Sequence, residues 1–119
     1  MREIKFRYTA IRESGYIFSA IFSLEQIEAG EAALWFEVNH IGENTKVFRE
    51  QFTGLKDKNG VEIYEGDIID AGSIIGEIVF NDCGFMFRKK KYEYLVYNFK
   101  YFLGVEIVGN IHENPELLK

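Results

Sequence analysis

Four carboxylates lie within nine residues of this chain, at Glu62, Glu65, Asp67 and Asp70. Oxygen donors at that density are what a hard cation needs, and a metal-bound water could then hydrolyse an ester or a phosphodiester. Calcium, however, takes about six to eight oxygens from a dedicated loop, and the Asp57-x-Asn59-Gly60 start lacks the later ligands of one. Solubility at strand edges and turns accounts for the cluster better. His40 and His112 are the only histidines and Cys83 the only cysteine. A zinc site from these three would need a fourth ligand, and their spacing fits no recognised pattern. No cation flanks Cys83 in its Asn81-Asp82-Cys83-Gly84 turn to draw down a thiol pKa. Serine elbows, phosphate loops and dinucleotide fingerprints are missing. No catalytic residue, metal or cofactor is therefore expected.

The second arrangement with chemical potential is the basic run Arg88, Lys89, Lys90 and Lys91, followed by Tyr92, Tyr94, Tyr97, Phe99, Tyr101 and Phe102. Cations interleaved with rings can hold a single strand, through phosphate attraction and base stacking. Arg88, Lys89, Lys90, Lys91, Tyr92 and Tyr94 form this alternative nucleic-acid patch. The plainer reading is a solvated loop tip between strands, with the rings filling a core.

The whole chain supports the plainer reading. It has 119 residues, enough for one domain with its own core. Charge is −5, and neither half is basic: residues 1–50 carry six basic and eight acidic groups, the rest eight and eleven. That is no footprint for duplex nucleic acid. A single cysteine excludes an internal disulfide, which suits a reducing cytoplasm. No apolar run reaches membrane-spanning length, and the start, MREIKFRYTA, has no signal-peptide core. Eleven Phe, seven Tyr and one Trp against one Pro tilt the fold toward β.

Elements emerge from periodicity and turn chemistry. Ile4, Phe6 and Tyr8 alternate with Lys5, Arg7 and Thr9, which predicts a strand over 3–11. Ser14-Gly15 turns the chain into a short strand over 16–21. Ser23 and Gln26 fit a capping box, with Phe22 and Ile27 at the staple positions, so a short helix should start there and stop near Gly30, with a run on to Leu34 as the alternative. Leu34, Phe36 and Val38 then alternate with Trp35, Glu37 and Asn39. This predicts one arm of a hairpin whose return arm is 47–53.

The stretch Phe52 to Ile69, FTGLKDKNGVEIYEGDII, allows a register argument. A two-residue Asn59-Gly60 turn would set Asp57 against Glu62, a like-charge pair. A three-residue loop, Lys58-Asn59-Gly60 with Gly60 left-handed, instead places Lys56 opposite Glu62, Leu55 opposite Ile63 and Tyr64 beside Gly54. Each such pair is worth roughly 0.2–1 kcal/mol, so the three-residue loop is preferred. Strands should come next at 67–69, 76–80, 85–88, 92–96 and 105–111, with a helical turn over 98–103. Helical spacing of Tyr92, Leu95, Val96, Phe99 and Phe102 is the rival for that stretch. Asn114-Pro115 should cap a closing helical turn. Between 67 and 111 this is the element order of a five-stranded barrel of the Src-homology-three kind. The fold class is thus mainly β with a short α-helix: one domain, with strands and helix in 1–50 and a barrel-like part in 51–119.

Three blocks, MREIKFR, QFTGLKDKNGVEIYEGDII and VEIVGNIHENPELL, together resemble the YopX family of small proteins encoded by phages and prophages of low-GC Gram-positive bacteria. Members commonly continue the first block with Ala-Trp-Asp, where this chain has Tyr8-Thr9-Ala10. The resemblance implies a largely β protein of the host cytoplasm and a homo-oligomer, without an activity, catalytic residues or a cofactor. Its motif covers Lys56, Asp57, Lys58, Asn59, Gly60, Glu65, Gly66, Asp67, Asn110, Glu113, Asn114 and Pro115. Lys56, Asp57, Lys58, Glu65, Asp67 and Glu113 are the candidate partner surface. The leading expectation is a non-enzymatic interaction or regulatory module that meets a host or phage protein, with no role at a membrane. Single-strand nucleic-acid binding comes second and a metal-dependent hydrolase or nuclease third.

Overall fold

The alternation at the start of the chain does build a strand, β1 (Lys5–Arg12), in the computed structural model. The structure describes residues 3–72, 74–81, 84–89 and 104–119, and the backbone of 92–95. Its chain divides into two units, Met1–Phe52 and Thr53–Lys119.

In the first unit β1 turns back into β2 (Ile17–Ser23). Gly15 supplies the left-handed residue of that turn, at φ 93, and its N–H donates to Arg12 C=O at 2.8 Å. Strand β3 (Thr45–Lys56) pairs antiparallel with the other side of β1, setting Tyr8 against Arg49 and Ala10 against Val47. The period of two gathers Phe6, Tyr8, Ala20, Phe22 and Val47 onto one face, where they pack with Ile27, Ala32, Trp35 and Phe36. The Tyr8 ring stands edge-on to Phe22 at 5.6 Å and to Phe36 at 5.9 Å. Such pairs contribute about 0.5–1.5 kcal/mol beyond burial.

The capping box forms as expected. Ser23 Oγ accepts from Gln26 N–H at 3.2 Å, and Gln26 Oε1 accepts from Ser23 N–H at 2.8 Å, starting α1 (Leu24–Glu28). Gly30 then reverses the chain at φ 86. The next segment departs from the expected hairpin arm: Glu31–Val38 is a second helix, α2. Its buried side is Ala32, Trp35 and Phe36, an i, i+3, i+4 set. Leu34 and Val38, two of the three residues whose alternation implied a strand, are 58% and 65% exposed. Strand β3 accordingly pairs with β1, not with 34–39.

In the second unit β3 ends in the hairpin that leads to β4 (Glu62–Tyr64). The three-residue loop is the one observed. Asp57 N–H donates to Val61 C=O at 2.8 Å, Gly60 N–H to Asp57 C=O at 3.0 Å, and Gly60 has φ 82. Asp57 therefore closes against Val61, not Glu62. Gly54 has φ 89, so the backbone itself calls for glycine there, a reason other than cover by Tyr64.

Strands β5 (Asp67–Asp70), β6 (Ile75–Asn81), β7 (Gly84–Lys89), β8 (Tyr92–Leu95) and β9 (Glu106–Asn110) form one antiparallel sheet. Its order is β8-β7-β6-β5-β9. Residues 92–95 are strand, against the helical rival, whereas the turn expected over 98–103 lies outside the described residues. The core of this unit is Ile63, Ile69, Ile78, Phe85, Phe87 and Val105.

The meander order of the expected barrel is present, but the barrel is not closed. Among the described residues no ladder joins β8 to β9. The hairpin loop occupies that side of β9 instead: Lys58 N–H donates to Val105 C=O at 2.9 Å, and Ile107 N–H to Asp57 Oδ2 at 3.1 Å. Pro115 opens the closing 3-10 turn, Pro115–Leu118, as expected. Asn114 does not cap it with its side chain, which turns back toward β9 and accepts from Asn110 N–H at 3.2 Å.

Candidate functional site

The family-like motif residues fall in the second unit, in the hairpin loop 56–60 and in the turns 65–67 and 110–115; in the loop, Asp57 is only 6% exposed. Its Oδ1 accepts from Asn59 and Val61 N–H, each at 2.9 Å, and its Oδ2 accepts from Ile107 N–H. Burial alone would raise the carboxyl pKa. The three backbone donors outweigh it, helped by the Lys58 charge, and hold the pKa below its ordinary value of 3.8. One ionised side chain thus shapes its own loop and ties it to a strand fifty residues away. A general base would need at least one oxygen turned to a substrate. Asp57 has both oxygens committed.

The neighbouring motif residues behave in the same way. Asp67 is 2% exposed, and its Oδ2 accepts from Tyr64 N–H at 2.8 Å. Gly66 donates to Ile78 C=O and accepts from Ile111 N–H, at 2.8 and 2.9 Å. Asn110 Oδ1 accepts from the N–H groups of His112 and Glu113 at 2.9 Å. A Cβ on Gly109 would stand 2.5 Å from Asn114 Oδ1, so the glycine admits that side chain. Asp57 and Asp67 are therefore internal braces rather than a partner surface.

Lys56, Lys58 and Glu113 are exposed, and Glu65 is half-buried. The structure gathers one charged rim that was not legible as a unit. Lys58 Nζ lies 3.8 Å from Glu106 Oε1, and Asn59 Nδ2 donates to Glu106 Oε2 at 3.3 Å. Glu106 lies opposite Asp70 across the β5–β9 ladder. Asp70 Oδ1 is buried without a hydrogen-bond partner among the described residues. Nothing in the sequence links position 106 to the hairpin, because the link is a tertiary pairing.

The basic patch is partly engaged. Arg88 Nη2 bonds Glu77 Oε1 at 2.9 Å, across a ladder that sets the two residues opposite each other. Lys89 is exposed at the end of β7, opposite Tyr92. Lys90 and Lys91, the side chains of Tyr92 and Tyr94, and Cys83 lie outside the described residues. Among the described residues no three His, Cys, Asp or Glu side chains group as metal ligands, and no helix is long and apolar enough to cross a membrane.

The first unit has features that the sequence did not disclose. Glu50, 4% exposed, accepts from Arg7 Nε at 2.9 Å and Thr9 Oγ1 at 2.7 Å. An open polar depression of about 400 Å³ lies between the 12–14 turn and the 40–45 segment. His40 borders it at φ 53, a left-handed conformation uncommon for histidine. Arg12 reaches Asn39 C=O at 2.8 Å and covers the Phe18 ring at 4.8 Å, so this cation too is in structural use.

Fold and site together define a small, mainly β protein of two antiparallel sheets in which the motif residues Asp57, Asp67, Asn110 and Asn114 are braces. A family model described as YopX protein matches residues 5–119, and the chain belongs to that family. It is also similar to a crystal structure of protein EF1440 from Enterococcus faecalis, at 26% identity and a TM-score of 0.60 over 100% of both chains. No curated protein matches it.

Proposed function

We propose that this chain is a non-enzymatic interaction module, phage-encoded and acting on a host or phage protein in the host cytoplasm. The observation that carries the reading is the commitment of both Asp57 oxygens to backbone donors, which holds the Lys56–Gly60 loop in one shape. A loop ordered before binding loses little entropy on binding. Its exposed face offers Lys56, Lys58 and Asn59, with Val61 beside them at 53% exposure. Cations around an apolar centre suit an acidic protein surface. The family resemblance supports the setting, and the absorption of Asp57 and Asp67 into braces weighs against hydrolysis.

The test is recovery of partners from prophage-induced cells by the tagged chain and by Lys56→Glu/Lys58→Glu. One protein bound by the parent and lost by the folded double variant supports the reading. Equal recovery by both, or repeated recovery of nothing, refutes it.

A further inference from the structure

The outer edge of β2 holds unused pairing capacity in the first unit. Its residues, Ile17 to Ser23, include no charge, proline or glycine, and β2 is the end strand of its sheet. Arg12 N–H donates to Tyr16 C=O and Leu24 N–H to Ile4 C=O, so the even-numbered residues of β2 bond to β1. Ile17, Ser19 and Ile21 therefore direct their N–H and C=O groups outward, where they have no partner among the described residues. Such an edge accepts a further strand from another chain.

The charge around this edge has one sign. Between Arg12 and Lys46 the chain carries Glu13, Glu25, Glu28, Glu31, Glu37 and Glu43, and no lysine or arginine. All six are exposed, and none is ion-paired among the described residues. Glu13 lies in the turn that enters β2, and Glu25 in the helical turn that follows it. Glu31 is on α2, one turn before Trp35, whose ring meets Phe18 and Phe22 of β2 at 5.5 and 6.0 Å. Glu31 and the exposed Val38 stand at i−4 and i+3 from Trp35, so they share the side of α2 that faces β2. Tyr16, 63% exposed, stacks on Phe18 beside them. Arg12, the cation before the turn, is committed to Asn39 C=O and the Phe18 ring.

We infer that the β2 edge docks an extended, basic segment of another protein, which adds to the sheet as a further strand. Its backbone bonds go to Ile17, Ser19 and Ile21. Lysine or arginine side chains on the helix side meet Glu31, with Glu13 and Glu25 at the two ends, and their apolar stems lie along Trp35 and Val38. Charge decides among the occupants. Unpaired carboxylates repel the phosphates of a nucleic acid. A second copy paired through β2 would bring its own Glu13, Glu25 and Glu31 to the edge and no cation from the same segment. The site lies in the first unit and takes the charge opposite to that taken by Lys56 and Lys58, so it holds or fails independently of the proposed function.

Trp35 is the single tryptophan of the chain and reports the site by fluorescence. The probe is an acetylated and amidated peptide, Lys-Val-Lys-Val-Lys-Val-Lys, titrated into the full chain. A saturable change in Trp35 emission is expected, weakened by added salt. Affinity should fall at least about threefold in Glu31→Lys, and binding should be lost in Ser19→Pro, which removes an outward N–H. The counterpart with glutamate for lysine should not bind. The counterpart with proline for valine keeps the charge and an extended shape but loses ladder donors, and should bind at least about tenfold more weakly. Folding of each variant is checked by circular dichroism, and the peptide comparisons on the parent chain need no variant. No saturable change, equal binding of either counterpart, or unchanged affinity in folded Glu31→Lys or Ser19→Pro overturns the inference. So does a doubled mass by light scattering that returns to 13.9 kDa in Ser19→Pro, which would give the edge to a second copy.

Discussion

Asp57→Ala removes an acceptor of three backbone hydrogen bonds, and its effect can be worked from their surroundings. Bonds to an ionised group are worth about 1.5–3 kcal/mol each. Asn59 and Val61 are exposed, so water replaces much of what their N–H groups lose, leaving about 0.5 kcal/mol each. Ile107 N–H is half-buried against β9 and should lose about 2 kcal/mol. The sum is about 3 kcal/mol. With a urea slope near 1.5–2 kcal/mol/M, the midpoint tracked by far-ultraviolet circular dichroism should fall by roughly 1.5–2 M. Asp57→Asn keeps one acceptor oxygen but turns an NH2 toward Ile107 N–H, so about two-thirds of that loss, about 2 kcal/mol, is expected. The lowered pKa sets the sign of the pH dependence. The stabilisation is present above the ordinary value of 3.8 and is lost as pH falls through the lower folded value. The gap between parent and Asp57→Asn should therefore be full near neutrality and close only below about pH 4. A loss under about 0.5 kcal/mol for Asp57→Ala, or a gap that widens on acidification, refutes the reasoning.

Other expectations use the same unfolding assay. Gly76→Ala should cost about 2–4 kcal/mol, because its Cβ would stand 2.7 Å from Arg88 C=O and from the Phe87 ring. Gly60→Ala meets open space at φ 82 and should cost only about 1–2 kcal/mol. Leu34→Ser should change stability by less than about 0.5 kcal/mol, whereas Phe36→Ser costs about 2 or more; equal costs would restore the strand reading of 34–38. Glu50→Ala removes the buried acceptor of the Arg7 and Thr9 bonds and should cost about 3 kcal/mol, much of it recovered in Arg7→Met/Glu50→Leu.

Local chemistry made part of this fold legible. Ser23, Gln26 and Gly30 act within eight residues, and the Gly60 register came from charges at Asp57 and Glu62 that a shorter loop would have opposed. The error at α2 has an equally local cause. Leu34, Phe36 and Val38 alternate as in a strand, but the set that meets the core is Ala32, Trp35 and Phe36, and burial decided between the two periods. Links that span the chain could not be read. Arg7 and Glu50 are 43 residues apart, and the Asp57 carboxylate reaches Ile107 across fifty. The same bond closes off the side of β9 that a barrel would have used. Asp57 was expected on a surface, because its sequence neighbours give no sign that it is buried.

The central claim, that the shared motif is a brace, is tested most directly by amide hydrogen exchange at Asn59, Val61 and Ile107. All three should be protected in the parent chain. In Asp57→Asn the Ile107 amide should exchange at least about tenfold faster relative to the Ile63 amide in the same core, as expected for a lost bond worth more than about 1.4 kcal/mol. Unprotected amides in the parent, or equal acceleration of Ile107 and Ile63, would contradict it.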